Sequence, residues 1–526
     1  MRRQFTLICC LLLVFSLTGC LKTGNNPALA GSPAKEKTLV VAIPKMPFTL
    51  NPVISNFFSD SLIYSAVSEP LIKYAIKTME PAAGIAKSWD VKEGKIFIFH
   101  LNGNVYFSNG KQCTAHDFKY SYEKYLTPES RVSYMLEAIS GSKEKLDGKA
   151  ADTKGIKVLD DFTLEITLDK PNNNFLAALG SPCLVVINKD EVEQLGTNYG
   201  NNTITGVGPF KVLHKDQNEI VLARNDRYYG KKAYVDSIRF VERSNEKAWN
   251  EYNKGIIDLM FVVPNLKTAI KNPKYKNNIK MFSDLGATFL AFNLKKEPMK
   301  SNKKLREAVS YAINKEYIVN EVLNDSYGVV ADSITPPILS GRNVKTVPSY
   351  SKEIAKVLLA EAGYPNGRGL PELNLTYHDR VSQKMIVESV KKDLESVNIK
   401  VKLIHADESL IVPYVENESD LFRVSWGPDY LDMDSLIQPI FHSKGSCTWG
   451  GYQNKDVDAL IDEARLTPNF AERKYLLTQA EEMALQDYPL APLYWGQFTS
   501  LSSSRVKNLQ ISAVGYPVFE NIMIEE

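Results

Sequence analysis

Residues 86–126 read AKSWDVKEGKIFIFHLNGNVYFSNGKQCTAHDFKYSYEKYL, and this stretch decides the fold. After the turn pair Glu93 and Gly94, Ile96, Phe97, Ile98 and Phe99 form a β-rich apolar run. Gly103 and Asn104 break it ahead of a short strand at Val105, Tyr106 and Phe107, so the segment predicts a hairpin. Beyond Ser108, Asn109 and Gly110, Thr114 caps a helix and Asp117 answers the positive end of its dipole. Phe118, Tyr122, Tyr125 and Leu126 fall on one helical face. By pattern alone, this is the hairpin and helix of any α+β protein.

Working outward, the N-terminus carries Arg2 and Arg3, an apolar run from Phe5 to Val14, and then Leu17, Thr18, Gly19 and Cys20. The run is shorter than the roughly 20 apolar residues a bilayer demands, so it predicts a secretory signal over 1–19 and not a spanning helix. Leu-Thr-Gly-Cys resembles the bacterial lipobox, which implies cleavage before Cys20 and a lipid on its thiol; the alternative is an ordinary signal cut elsewhere. Residues 20–36 are rich in Gly, Asn, Pro, Ala and Ser, the composition of a flexible tether. No later stretch is long and apolar enough to span a bilayer, which excludes a permease.

Cys9 and Cys10 leave with the signal, so Cys113, Cys183 and Cys447 remain beside the lipidated Cys20. They form either one disulfide with a free thiol or three buried thiols. The remaining chain of about 500 residues exceeds one ordinary core and predicts two or three domains. With 63 basic and 61 acidic residues the formal charge is only +2, which offers nucleic acid no global attraction.

Further along, Leu39 to Ile43 is a β-branched strand and Asp161 to Leu168 alternates as a half-buried one. A strand ending at Phe292 and Asn293 precedes a helix carrying Leu305, Val309, Ala312 and Ile313. A helix from Ile354 stops at Gly363. Leu373 to Tyr377, Lys384 to Leu394 and Ile399 to Ile404 run strand, helix, strand, the signature of a parallel pair with a right-handed crossover. Helices at Val457–Ala464 and Leu476–Leu485 lead to a strand at Pro489–Trp495.

Enzyme chemistry finds little support. The six histidines, His100, His116, His214, His378, His405 and His442, are scattered; there is no HExxH pair, GxSxG elbow, Walker loop or Rossmann fingerprint. His116 with Asp117, and His405 with Asp407, read as surface hydrogen bonds. We therefore expect no catalytic residues, no metal and no cofactor.

The 86–126 block resembles the segment shared by bacterial solute-binding proteins of the peptide and nickel transporter family (family 5), closest to its oligopeptide-binding lipoproteins. Thr49-Leu50-Asn51-Pro52, Gly206-Val207-Gly208-Pro209-Phe210, Asn225 to Gly230, and Gly255 to Asp258 resemble further family landmarks in their expected order. The resemblance implies an α/β, two-lobed periplasmic-binding-protein-like fold of class II, the three-domain peptide-binding type, with mixed sheets and a hinge cleft. It implies a discontinuous first lobe (37–68, 201–285 and 497–526), an extra domain packed on it (69–200) and a second lobe (286–496).

It also implies a non-enzymatic function: an extracytoplasmic monomer, lipid-anchored to the outer face of the cell membrane, that binds short peptides and hands them to ABC-transporter permease subunits. Rival solutes are a nickel chelate, a sugar oligomer or a peptide pheromone; the rival class is a secreted hydrolase. Ser425-Trp426-Gly427-Pro428-Asp429-Tyr430 resembles the family's Trp-x-x-Asp-Tyr loop, whose aspartate pairs with the peptide α-ammonium, a role carried onto Asp429. Asn56, Phe57 and Phe58 fall at the cleft loop, and Tyr134 and Trp495 at cleft aromatics. Arg423 matches an arginine that meets the ligand carboxylate, or else neutralises a carboxylate inside the lobe. Gly286 and Gly427 replace a cysteine pair, and Leu323 and Gln383 replace other carboxylate-binding cations, so this chain departs from the pattern that sets peptide length.

Overall fold

The computed structural model describes residues 36–525 apart from 56–57, 76–77, 264, 324–327, 342–348, 379–380, 407–416 and 513. The signal, Cys20 and nearly all of the tether predicted at 20–36 lie outside the described residues, as do Asn56, Phe57 and Asp407. Lys37–Glu526 forms one compact unit.

The opening block folds into a four-stranded antiparallel sheet in the order Ala86–Lys92, Ile96–Leu101, Thr163–Thr167, Ile156–Asp160. The hairpin predicted from the block exists, but its second arm lies upstream. Ala86–Lys92 pairs with Ile96–Leu101 across a turn in which Glu93 and Gly94 take φ of 54° and 61°. Val105–Phe107 is not a strand; Tyr106 makes only an isolated bridge to Gln112. The reason is topological: both edges of Ile96–Leu101 are already occupied, one by Ala86–Lys92 and the other by Thr163–Thr167. The helix runs Ala115–Tyr125 with a capping box, since the Thr114 N–H donates to Asp117 Oδ2 at 3.0 Å. Phe118, Tyr122, Tyr125 and Leu126 are buried as expected.

An eleven-stranded mixed sheet forms the rest of the frame. On one side lie Leu259–Met260, Thr38–Ile43, Ser237–Glu242, Glu219–Arg224 and Phe210–Lys215; on the other lie Leu421–Trp426, Leu373–His378 and Val401–Ala406. Leu373–His378 and Val401–Ala406 pair in parallel around the helix Val381–Glu395, the expected crossover unit.

Two long strands, Ile279–Phe292 and Leu490–Ser502, carry the sheet from one side to the other. They pair over Ile279–Ser283 and again over Ala287–Ala291, with the register broken between Ser283 and Ala287, where Leu285 takes φ 64°. Leu501 pairs towards the first half, through Met260, while Ala287–Phe292 pairs with Leu421–Trp426 of the second. The bulge therefore sits where the sheet changes halves.

The cores follow the same division. One cluster draws on residues between Leu39 and Phe261 and between Val506 and Ile524. Two others draw on residues between Leu285 and Trp495, with Met79 the exception. Cys113, Cys183 and Cys447 are free thiols. Among the described residues no helix is long and apolar enough to cross a membrane.

Candidate functional site

Two cavities meet at Trp426. The first, about 770 Å³, is lined by both crossing strands (Asp284 to Thr288, and Tyr494 with Gly496 to Thr499), by Phe261 to Val263, and by Arg423, Gln383 and Leu323. The second, about 710 Å³, lies between Tyr134 and Phe175 on one wall and Asp429, Tyr430 and Arg465 on the other. Both volumes suit an organic ligand of a few residues.

The strand Leu421–Trp426 delivers the shared wall, and the helix Asp434–Phe441 holds the loop beyond it. Trp426 Nε1–H donates to the Ser435 carbonyl at 3.0 Å, and the Asp429 N–H donates to Ser435 Oγ at 2.8 Å. The Tyr430 hydroxyl donates to Asp434 Oδ2 at 3.0 Å, and Arg465 pairs with Asp434 at 3.3 Å. Arg465, the cation lining this cavity, is thus committed to Asp434.

Asp429 pairs with no cation among the described residues. Burial pushes its carboxyl up, and the Tyr134 hydroxyl, hydrogen-bonded to it, opposes that. Burial and the neighbouring Asp429 charge in turn hold the Tyr134 phenol well above its usual range. The arrangement is a half-buried carboxylate facing a cavity with no cation beside it among the described residues.

Arg423 supplies the opposite charge in the first cavity. It is 7 % exposed. One terminal guanidinium nitrogen reaches the Tyr494 hydroxyl at 3.2 Å and Thr288 Oγ1 at 3.4 Å, while Nε has no partner among the described residues. Of the two expectations for Arg423, pairing with a carboxylate inside the lobe is not met among the described residues. Ser425 Oγ contacts Thr288 Oγ1 at 2.6 Å beside it.

The other expected residues divide. Phe58 stacks in an aromatic cluster with Phe261 and Phe498, at 5.3 and 5.6 Å between ring centroids, and both of those partners line the first cavity. Gly427 lines it directly. Trp495 does not: its ring is 8 % exposed in the core and its Nε1–H donates to the Ile334 carbonyl at 3.1 Å. Strand alternation explains this, because Tyr494 and Gly496 face the cavity and the residue between them faces away. Gly286 and Gly427 stand together, an ideal Cβ on Gly286 falling 3.3 Å from Gly427 Cα. Leu323 and Gln383 line the first cavity, and Gln383 Oε1 is buried without a partner among the described residues. Asp284, Thr288, Tyr494 and Phe498 were not singled out from the sequence; alternation around Trp495 was the available signal for Tyr494, while Asp284 lies in the register break, where alternation gives none. His116 and Asp161 sit 3.7 Å apart on the surface, away from both cavities, and no group of three metal-ligating side chains occurs among the described residues.

Comparison with known proteins identifies the family and the fold. The family model described as "Bacterial extracellular solute-binding proteins, family 5 Middle" matches residues 80–447. The chain is 27 % identical over 534 residues to the dipeptide-binding protein DppE of Bacillus subtilis (strain 168), covering 96 % of each. It is 27 % identical over 544 residues to the heme-binding protein A of Haemophilus influenzae, covering 95 % of each. Among solved structures it resembles the periplasmic oligopeptide-binding protein OppAIV from Borrelia burgdorferi, with a TM-score of 0.72 and 28 % identity over 93 % of this chain and 100 % of that one.

Proposed function

The chain belongs to family 5 of the bacterial extracellular solute-binding proteins, non-enzymatic components of transport, and from that premise we propose that its solute is a short peptide. The protein captures the peptide by closing its two halves about the bulge at Ser283–Ala287 and delivers it to an ABC-transporter permease, held at the outer face of the cell membrane by a lipid on Cys20.

One observation carries the reading. The cleft presents two charges of opposite sign, the half-buried Asp429 and the buried Arg423, on either side of Trp426, and neither has an ionic partner among the described residues. A free peptide brings an α-ammonium and an α-carboxylate, the two groups such a pair would neutralise. Sequence tolerance follows if the peptide backbone is held by strand-like hydrogen bonds, which do not discriminate between side chains. The relative named for heme keeps a tetrapyrrole among the rivals. Against it, neither cavity has a histidine or cysteine in its lining.

Calorimetry with free and N-acetylated trialanine tests the anchor, with small-angle scattering on the same samples. We expect Asp429→Asn to weaken the free peptide by roughly tenfold or more, the scale of a charge-assisted hydrogen bond, and the acetylated one little. Scattering should show the wild-type particle contracting on saturation. Equal losses for both peptides would remove Asp429 from the role, and failure of wild-type protein to bind either would remove the peptide reading.

A further inference from the structure

A third charge in the cleft has no counterpart in the anchor pair. Asp284 lies in the bulge of the first crossing strand and lines the same cavity as Arg423. Its one hydrogen bond among the described residues comes from the Gly286 N–H at 2.8 Å, and no lysine, arginine or histidine pairs with it there. Arg423, the other charged residue lining this cavity, turns to Tyr494 and Thr288 instead.

The chain makes room for this carboxylate. It rests against Gly496 of the opposite crossing strand, where an ideal Cβ would collide with the Asp284 carboxylate, so any other residue at 496 would displace it. Around it, Phe498, Trp426 and Tyr494 give the cavity aromatic surface. Aromatic walls leading to a half-buried carboxylate with no cation paired to it among the described residues suit a long aliphatic stem ending in a cation. A neutral or acidic side chain would leave the charge stranded.

We propose that Asp284 is the counter-ion for a basic side chain of the bound peptide, so that the cleft selects peptides carrying a lysine- or arginine-type residue. The assignment rests on the peptide reading and adds a specificity-determining position to it. Asp429 takes the main-chain amine, Arg423 the carboxylate, and Asp284 the side-chain cation.

The test uses trialanine, the three tripeptides in which lysine replaces one alanine, and their norleucine counterparts, each free and N-acetylated. Binding is measured by calorimetry to wild-type protein, Asp284→Asn and Asp284→Glu, with circular dichroism as the folding check. We expect wild-type protein to favour lysine over norleucine at one position by about tenfold or more. Asp284→Asn should reduce that preference to about twofold while leaving trialanine affinity within about threefold, and Asp284→Glu should restore part of it. An unchanged lysine preference in Asp284→Asn, with trialanine still bound, overturns this proposal and leaves the peptide reading standing. A loss that follows the free α-amine in place of the lysine also overturns it, because Asp284 would then be the main-chain anchor. If no tripeptide binds wild-type protein, both readings fall together.

Discussion

At the scale of single residues, the cleft is marked by charges with no ionic partner among the described residues, Arg423 buried and Asp284 and Asp429 half-buried. Burial holds the Asp284 carboxyl up at about 6, against an ordinary value of 3.8, with the Gly286 N–H opposing. Among the lining residues Arg423 is the other charged group and Tyr494 the phenol; Gln383, on the neighbouring helix, is neutral. The sign of the consequence follows from linkage. Between about pH 4 and pH 6 the folded chain keeps a proton that the unfolded chain has released, so this residue's contribution to stability falls as pH rises through that window. Above it, the full cost of a desolvated carboxylate is present. Ligand-free Asp284→Asn should therefore melt higher than wild type at pH 8, with the difference shrinking towards zero near pH 4. A pH-independent difference in calorimetric melting temperature would refute it. The loop of Asp429 was legible in the sequence because Trp426-Gly427-Pro428-Asp429-Tyr430 is a contiguous motif. Asp284 was not, since its importance arises from a register break opposite a glycine more than 200 residues away. Trp495, expected as a cleft aromatic, does not line the cavity for a related reason: the strand's alternation turns it away and brings Tyr494 in.

Elements carry those residues to each other, and the bulge between the crossing strands does the most. Leu285 takes a positive φ so that the strand can step past an extra pair of residues and resume pairing at Ala287. Gly496 is the complement of that step, because the Asp284 carboxylate occupies the space where its side chain would be. Gly496→Ala should force a shift costing roughly 1–3 kcal/mol, the usual range for overpacking. The double variant Gly496→Ala with Asp284→Ala should recover most of the lost melting temperature, as expected for residues in contact. Additive losses in the double variant would show that the glycine is needed for some other reason. Regular elements of this kind were read well from the sequence. The helix Ala115–Tyr125, its cap at Thr114 and the parallel crossover at Leu373–Ala406 all follow from local pattern and capping, while the reciprocal bond from the Thr114 N–H to Asp117 emerged with the structure. The hairpin arm was misplaced because strand partnership is a long-range choice: Val105–Phe107 has the composition of a strand, but the edge it would have used belongs to Thr163–Thr167.

For the whole molecule, the proposed function separates capture from delivery and assigns them to different regions. Asp284, Arg423, Asp429 and the groups around them all belong to the compact unit Lys37–Glu526. Delivery, in the proposed function, depends in addition on Cys20 and the Gly-, Asn- and Pro-rich stretch after it. A tether of that composition holds its cargo near the membrane at a high effective concentration while adding no contact to the ligand. In the proposed function the lipid on Cys20 is what holds the chain at the membrane, so loss of the thiol should release the protein. Cys20→Ser should therefore move the protein out of the membrane fraction and reduce peptide uptake by cells. The purified variant should bind trialanine with unchanged affinity. If uptake persists undiminished with the protein fully released, anchoring is dispensable and delivery proceeds from solution. If affinity falls as well, the N-terminal stretch takes part in the cleft and the division between capture and delivery is wrong.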